Sequence, residues 1–238
     1  MFVRPRFSYG VLIPGCDVVT ALSIALVLVQ VWLMNAAAPT THFLTLGLSW
    51  DGLLHGRLWQ FVTYALVHAS WVHLALNLLM FWLVGGSVMR LAGQLWFLLI
   101  VIVGMFVGGG LHIVFDGLLI RAGYHGSQLV GISGACFALL LTLAVLVPEQ
   151  RVGFLPLRMR NLGLGLLISE LLLLLMTPAL GCPGFAFFGE LIVHAGYGAL
   201  FSISHACHLG GAVVGWLFAR QFLMRRGYLA KMSFGEEG

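Results

Sequence analysis

The sequence predicts an all-α polytopic membrane bundle of six transmembrane helices, and three observations carry that prediction. Of the 238 residues 61% are hydrophobic and only 8% are charged, whereas a soluble domain carries about 25% charged residues. Much of the surface must therefore face lipid instead of water. Six apolar segments reach or approach the roughly 20 residues that a bilayer core about 30 Å thick requires, with about 17 as the lower limit. The Lys and Arg residues fall between these segments and mostly on alternate sides, the pattern left by short cytoplasmic loops that collect positive charge.

The first segment, 18–34, follows Arg4 and Arg6 and precedes Ala36, Ala37 and Ala38, so it imitates a secretory signal. Its 17 residues exceed the apolar core of about 7–15 that such a signal has, and it reads as a first span. The connection 36–70 carries Trp50, Trp59, Phe61 and Tyr64, aromatics of the kind that settle at a membrane interface. It is expected to lie partly in the outer leaflet. The remaining spans are 71–88, 95–115, 131–147, 162–176 and 204–223, the fifth short at 15 residues and extended by Thr177. Residues 181–203, rich in Gly and Phe, read as a second outer loop that acts as a mobile cover.

With six spans and the N-terminus inside, Arg4, Arg6, Arg90, Arg151, Arg158, Arg160, Arg220, Arg225, Arg226 and Lys231 are cytoplasmic, ten of the twelve basic residues; only Arg57 and Arg121 fall outside. Both termini are thus expected in the cytoplasm. The chain reads as one domain, 1–238, with its core over 59–219 and no separate soluble domain. The formal net charge of +4 does not point to nucleic acid, because the basic residues form no run on one face. Cys16, Cys136, Cys182 and Cys207 are widely spaced and mostly within apolar segments, so they read as packing residues and not as a disulfide framework.

The second, fourth and sixth spans all run from outside to inside, which sets their first turns at one depth. The second opens with Ser70 as an N-cap and places His73 and Asn77 four apart, on one helical face. The fourth opens with Gly131-Ile132-Ser133-Gly134, a hydroxyl beside free backbone N–H groups at a helix N-terminus, where developing negative charge is stabilised. The sixth carries His208 about one turn in, then the small-residue row Gly211, Gly215 and Ala219 that lets two helices approach closely. Peptide hydrolysis needs a nucleophile, a base in hydrogen-bond reach and donors aimed at the tetrahedral oxygen. Ser133, His208 and the set Asn77, His73 and the Ser133 N–H supply those parts without cofactor or metal. Asp51, Asp116 and Glu190 read as residues of the outer connections, so no carboxylate is expected to join and the site reads as a dyad. Phe137, one turn below Ser133, is placed to hold the imidazole by stacking.

The run from His68 through His73 to Asn77, the element Gly131-x-Ser133-Gly134, and His208-x-x-Gly211-x-x-x-Gly215 resemble, in that order, the three signature elements of rhomboid intramembrane serine proteases. The resemblance covers roughly 59–219. It implies a rhomboid-like bundle in which Ser133 is the nucleophile, His208 the base, His73 and Asn77 part of the oxyanion site, and His68 a brace for the outer loop. It also implies transmembrane protein substrates cut near their outer ends, and a place in a bacterial inner membrane with the active site facing outward. Two positions depart from the family pattern. Trp59-Gln60 stands where members often have Trp-Arg, which calls a structural contact of the outer loop into question, and Phe137 stands where many have tyrosine, which keeps the stacked ring and loses the hydroxyl.

Two other classes compete with this reading. An inactive relative that binds and escorts membrane helices has no need of the full Ser, His and Asn set, and a transporter would use Glu170 and the histidines as a polar route. His205 and His208 at a spacing of three, with His68 and His73, suggest metal ligands, but a membrane metalloprotease is expected to carry His-Glu-x-x-His, and no His-Glu dipeptide occurs. The Gly-Asp dipeptide of aspartyl membrane proteases is also missing. Glu170, in the middle of the fifth span, is expected to be protonated or bonded inside the bundle. His42, His55, His112, His125 and His194 read as loop or interface residues.

Overall fold

The computed structural model describes residues 17–152, 156–225 and 227. Arg4, Arg6, Cys16, Arg226 and Lys231 lie outside them. Helix α1 (Val18–Asn35) begins where the Asp17 carboxylate accepts the Thr20 N–H at 2.8 Å, an N-cap that satisfies one of the free donors of the first turn. Its buried residues, Val19, Ser23, Leu26, Gln30 and Leu33, recur at three and four and so form one stripe; the other faces are left to lipid.

The connection expected to be a long aromatic loop folds into three short helices, α2 (Pro39–Leu46), α3 (Trp50–Leu54) and α4 (Gln60–Thr63). Gln60 holds them together. Its side chain is fully buried, Nε2 donates to the Leu44 and Thr45 carbonyls at 3.2 Å each, and Oε1 accepts the Ser49 N–H at 3.3 Å. A Cβ on Gly52 would stand 1.9 Å from that Oε1, so glycine is required there. The missing arginine therefore leaves no hole: the amide itself braces the connection, with Trp59 Nε1 donating to the Thr45 carbonyl at 3.0 Å beside it.

Helix α5 (Trp71–Met80) is capped by Ser70, whose Oγ accepts the His73 N–H at 3.1 Å. It passes through a widened π turn at Phe81–Gly85 into α6 (Gly86–Ala92), one continuous span of 22 residues. Helix α7 (Gln94–Arg121) has 28 residues, about 42 Å of helix at 1.5 Å per residue. The core lies where α7, α8 (Ser133–Leu146) and α11 (His205–Arg225) meet. Small residues make that meeting possible. A Cβ on Gly211 would stand 1.9 Å from the Gly134 carbonyl oxygen, one on Gly215 2.0 Å from that of Ala138, and one on Gly108 2.8 Å from that of Cys207. Helix α11 therefore touches α8 backbone to backbone through the row read from the sequence. Cys136 and Cys207 are free thiols buried in this packing, and Cys182 is free as well.

Helix α9 (Met159–Met176) leans on this core through Met159, Gly163 and Glu170. The connection before it is held by Glu149, which pairs with Arg158 and Arg160. Among the described residues five helical stretches are long and apolar enough to cross a membrane, and they are not the expected six. Four coincide with expected spans: α1, Trp71–Ala92, α7 and α9. Helix α8 has only 14 residues, ten of them buried; wrapped in protein, it has little lipid-facing surface to match to the bilayer. Helix α11 has the length, but His205, His208, Arg220 and Gln221 lower its hydropathy. The fifth stretch, Phe185–Ser202, falls in the segment read as a loop. It comprises α10 (Phe185–Ile192), a π turn broken at Gly196 with φ 90°, and a 3₁₀ turn at Gly198–Ser202.

Candidate active site

Ser133 is positioned by the connection before it. Leu48 and Leu129 exchange backbone hydrogen bonds of 3.0 and 2.8 Å, the Gly131 N–H donates to the Tyr64 carbonyl at 2.8 Å, and the Tyr64 hydroxyl donates to the Met105 carbonyl at 2.6 Å. These bonds fasten the approach to α8 onto the connection between α1 and α5 and onto α7. At Gly131 the chain turns with φ 103°, a left-handed conformation that favours glycine. Ile132 then serves as the N-cap, and Ser133 is the first residue of α8.

His208, in the first turn of α11, faces Ser133 with Nε2 2.8 Å from Oγ. Its ring stacks on Phe137, with centroids 4.3 Å apart and planes 10° from parallel. The expected stacking partner is therefore in place without a hydroxyl. Both side chains ride on helices whose separation is set by the glycine contacts just below them.

Asn77 and His73 converge on the same spot from α5. A Cβ on Gly131 would stand 2.8 Å from His73 Nε2 and 3.3 Å from Asn77 Nδ2, so only a glycine lets the two side chains come this near the backbone before Ser133. Asn77 is buried, and its Nδ2 has no hydrogen-bond partner among the described residues. A buried amide donor left unpaired is costly, and this one borders the backbone at Gly131, two residues before Ser133. His68 is fully buried behind His73, with ring centroids 5.1 Å apart and nearly perpendicular. Burial, and then the neighbouring His73 ring, push its pKa down from 6.5 to about 4, so it is a neutral packing ring near neutral pH.

The structure corrects the expectation that no carboxylate approaches. Glu170 projects from α9 into the cluster, with Oε2 2.6 Å from His205 Nδ1 and Oε1 3.1 Å from His208 Nδ1. The second contact is close but misaligned, and His208 Nδ1 makes no hydrogen bond there. His205 Nε2 in turn donates to the Leu200 carbonyl at 2.9 Å. Glu170 lies six residues before the C-terminal end of α9, about 9 Å from it, and from there it reaches the first turn of α11. Glu170, His205 and His208 each offer one ligand atom within 4.8 Å of the others. Tetrahedral zinc, with bonds of about 2.0–2.1 Å, holds its ligands about 3.3 Å apart, so the Glu170–His205 pair would have to separate to admit an ion.

Two more residues sit elsewhere than expected. Asp116 is buried within α7, and its Oδ1 accepts the Ser127 N–H at 2.7 Å and the Ser127 hydroxyl at 2.9 Å. His112, one turn earlier, is also buried, with Nδ1 2.9 Å from the Ser204 hydroxyl, which in turn accepts the Cys207 N–H. Together they tie the connection before Ser133 and the start of α11 to one helix. Asp51 and Glu190 remain outside the cluster, on α3 and α10.

Comparison with known proteins gives a match to the family model described as the rhomboid domain over residues 55–225. The chain is 28% identical over 176 residues to the rhomboid protease GlpG of Serratia proteamaculans (strain 568), covering 72% of this chain and 51% of that protein. It is 26% identical over 171 residues to the GlpG of Photorhabdus laumondii subsp. laumondii, covering 69% and 48%. To the rhomboid protease GluP of Bacillus subtilis (strain 168) it is 27% identical over 210 residues, covering 86% and 35%. The chain thus spans about half the length, or less, of the curated relatives it matches.

Proposed function

The chain belongs to the rhomboid family, and from that premise we propose that it is an intramembrane serine endopeptidase in which Ser133 is the nucleophile and His208 the general base. The observation that carries this reading is the 2.8 Å contact between His208 Nε2 and Ser133 Oγ at the N-terminus of α8. In the proposed reaction Ser133 Oγ attacks the scissile carbonyl carbon while His208 Nε2 takes the hydroxyl proton. The tetrahedral oxyanion is met by the unpaired Asn77 Nδ2, the Ser133 backbone N–H and His73, donors fixed in place before charge develops. His208 then returns the proton to the leaving amine as the C–N bond breaks. Water, deprotonated by the same imidazole, hydrolyses the acyl-Ser133 ester. Every step is supplied by side chains and backbone, with no cofactor.

The substrates are transmembrane proteins. A membrane helix pairs its own backbone groups and must unwind before a nucleophile reaches a carbonyl, so segments with Gly or Pro near the outer end and a small residue at the cut are favoured. For the topology we propose that α8 and α11 complete six spans, with both termini cytoplasmic and the site facing outward from a bacterial inner membrane. The test is cleavage of a model single-span substrate by the purified protein in lipid. Ser133→Ala is expected to abolish cleavage while the protein still folds, and His208→Ala to do the same, since an unassisted serine is a weak nucleophile. Undiminished turnover by folded Ser133→Ala would overturn the assignment.

A further inference from the structure

The proposed dyad leaves unexplained why a carboxylate stands in the middle of an apolar helix between two histidines. Intramembrane acids are expensive and call for a partner or a role. The protons can be placed one by one. The Leu200 carbonyl can only accept, so His205 Nε2, 2.9 Å away, carries a hydrogen. His205 Nδ1 and Glu170 Oε2, 2.6 Å apart, then share a single proton, whether it sits on nitrogen or oxygen. Either way Oε1 is left with free lone pairs, and it lies 3.1 Å from His208 Nδ1.

His208 has a requirement of its own. To take a proton from Ser133, its Nε2 must be bare, so the neutral ring must hold its hydrogen on Nδ1. The group that Nδ1 faces is Glu170 Oε1. We infer that Glu170, clamped by His205, is a positioning residue that selects the Nδ1–H form of His208 and fixes the ring toward Ser133. The inference rests on the protease reading above and adds a third member to the dyad. The misalignment of the Nδ1 contact agrees with it, because such contacts are often long or bent before substrate binds and tighten afterwards.

Two substitutions separate this role from simple packing. Glu170→Gln keeps every required partner: its NH₂ donates to His205 Nδ1 and its carbonyl accepts from His208 Nδ1–H. Glu170→Leu removes the acceptor and leaves a side chain well suited to a membrane helix. If Glu170 only packs, the leucine variant should be as active as the unchanged protein. The inference expects Glu170→Leu to keep its Tm in detergent and lose kcat by about 10²-fold or more, the lower end of what general acid–base catalysis supplies, with KM changed less than about threefold. Glu170→Gln should stay within about tenfold. A folded Glu170→Leu protein within about threefold of the original kcat would overturn the inference.

A second readout needs no turnover. In ¹⁵N-histidine-labelled protein carrying Ser133→Ala, the neutral His208 signal should show hydrogen on Nδ1, and Glu170→Leu should shift it toward Nε2. Hydrogen on Nε2 with Glu170 present would overturn the inference at any level of activity. Nδ1–H together with failure of the unchanged chain to cut any substrate would leave the orientation assigned and refute the protease reading instead.

Discussion

At Gly131 the lack of a side chain decides what the neighbouring residues can do. A methyl group there would stand 2.8 Å from His73 Nε2 and 3.3 Å from Asn77 Nδ2, and the backbone is already at φ 103°. The space it leaves is bordered by a buried amide donor with no partner among the described residues. If that donor meets the oxyanion, Asn77→Ala should lower kcat by about 10²–10³ with little change in KM. A raised KM at unchanged kcat, measured on the same substrate, would make Asn77 a substrate contact instead. That Ser133, His208, His73 and Asn77 converge was legible in the sequence because each sits in the first two turns of its helix, where helical spacing alone sets the face. Glu170 was not, because its meeting with His205 and His208 depends on the rotation of α9 against α11, and nothing local in an apolar helix encodes that. Gln60 shows the same limit: its departure from the family pattern calls a contact into question, and only the fold supplies the three backbone partners that replace it.

Helix α11 meets α8 at a separation only glycine allows. The row of Gly211 and Gly215 was readable from the sequence, but its severity was not. Spacing suggests that alanine at 211 is milder than valine, yet a Cβ there would stand 1.9 Å from the Gly134 carbonyl oxygen, a backbone atom that cannot swing aside. Gly211→Ala as well as Gly211→Val should therefore push the helices apart, and a shift of about 1 Å between Ser133 and His208 is enough to lose about 10²-fold in rate. Gly110→Ala, on α7 with nothing within 4 Å of its Cβ position, should keep its rate within about twofold. Cleavage rates and thermal stability of the three variants check this, and a folded Gly211→Val protein with full activity would remove the helix contact from the account. The segments between the apolar spans were the least legible elements. The Gly and Phe residues of 181–203 read as a loop, whereas α10 packs so closely on the end of α9 that a Cβ on Gly189 would stand 1.8 Å from the Met176 carbonyl oxygen. Gly189 serves close contact there.

As a whole the chain is a helical multi-pass membrane protein of the rhomboid family. Composition settled the solvent, and charge placement suggested the orientation; the number of spans was harder, because a central helix surrounded by protein need not be long and a site-bearing helix need not be apolar. The proposed topology has a direct check. A cysteine replacing His125, in the exposed connection after α7, should react with an impermeant maleimide added from outside, and a reporter fused after Gly238 should report the cytoplasm. The reverse pattern would turn the site to the cytoplasmic face. The central claim, that Ser133 is a nucleophile activated by His208, is tested most directly by treating the protein in lipid with a fluorophosphonate and mapping the adduct by mass spectrometry. The account predicts a single adduct on Ser133 that is lost in folded His208→Ala protein. No adduct on Ser133, or equal labelling of Ser133 without His208, would contradict it.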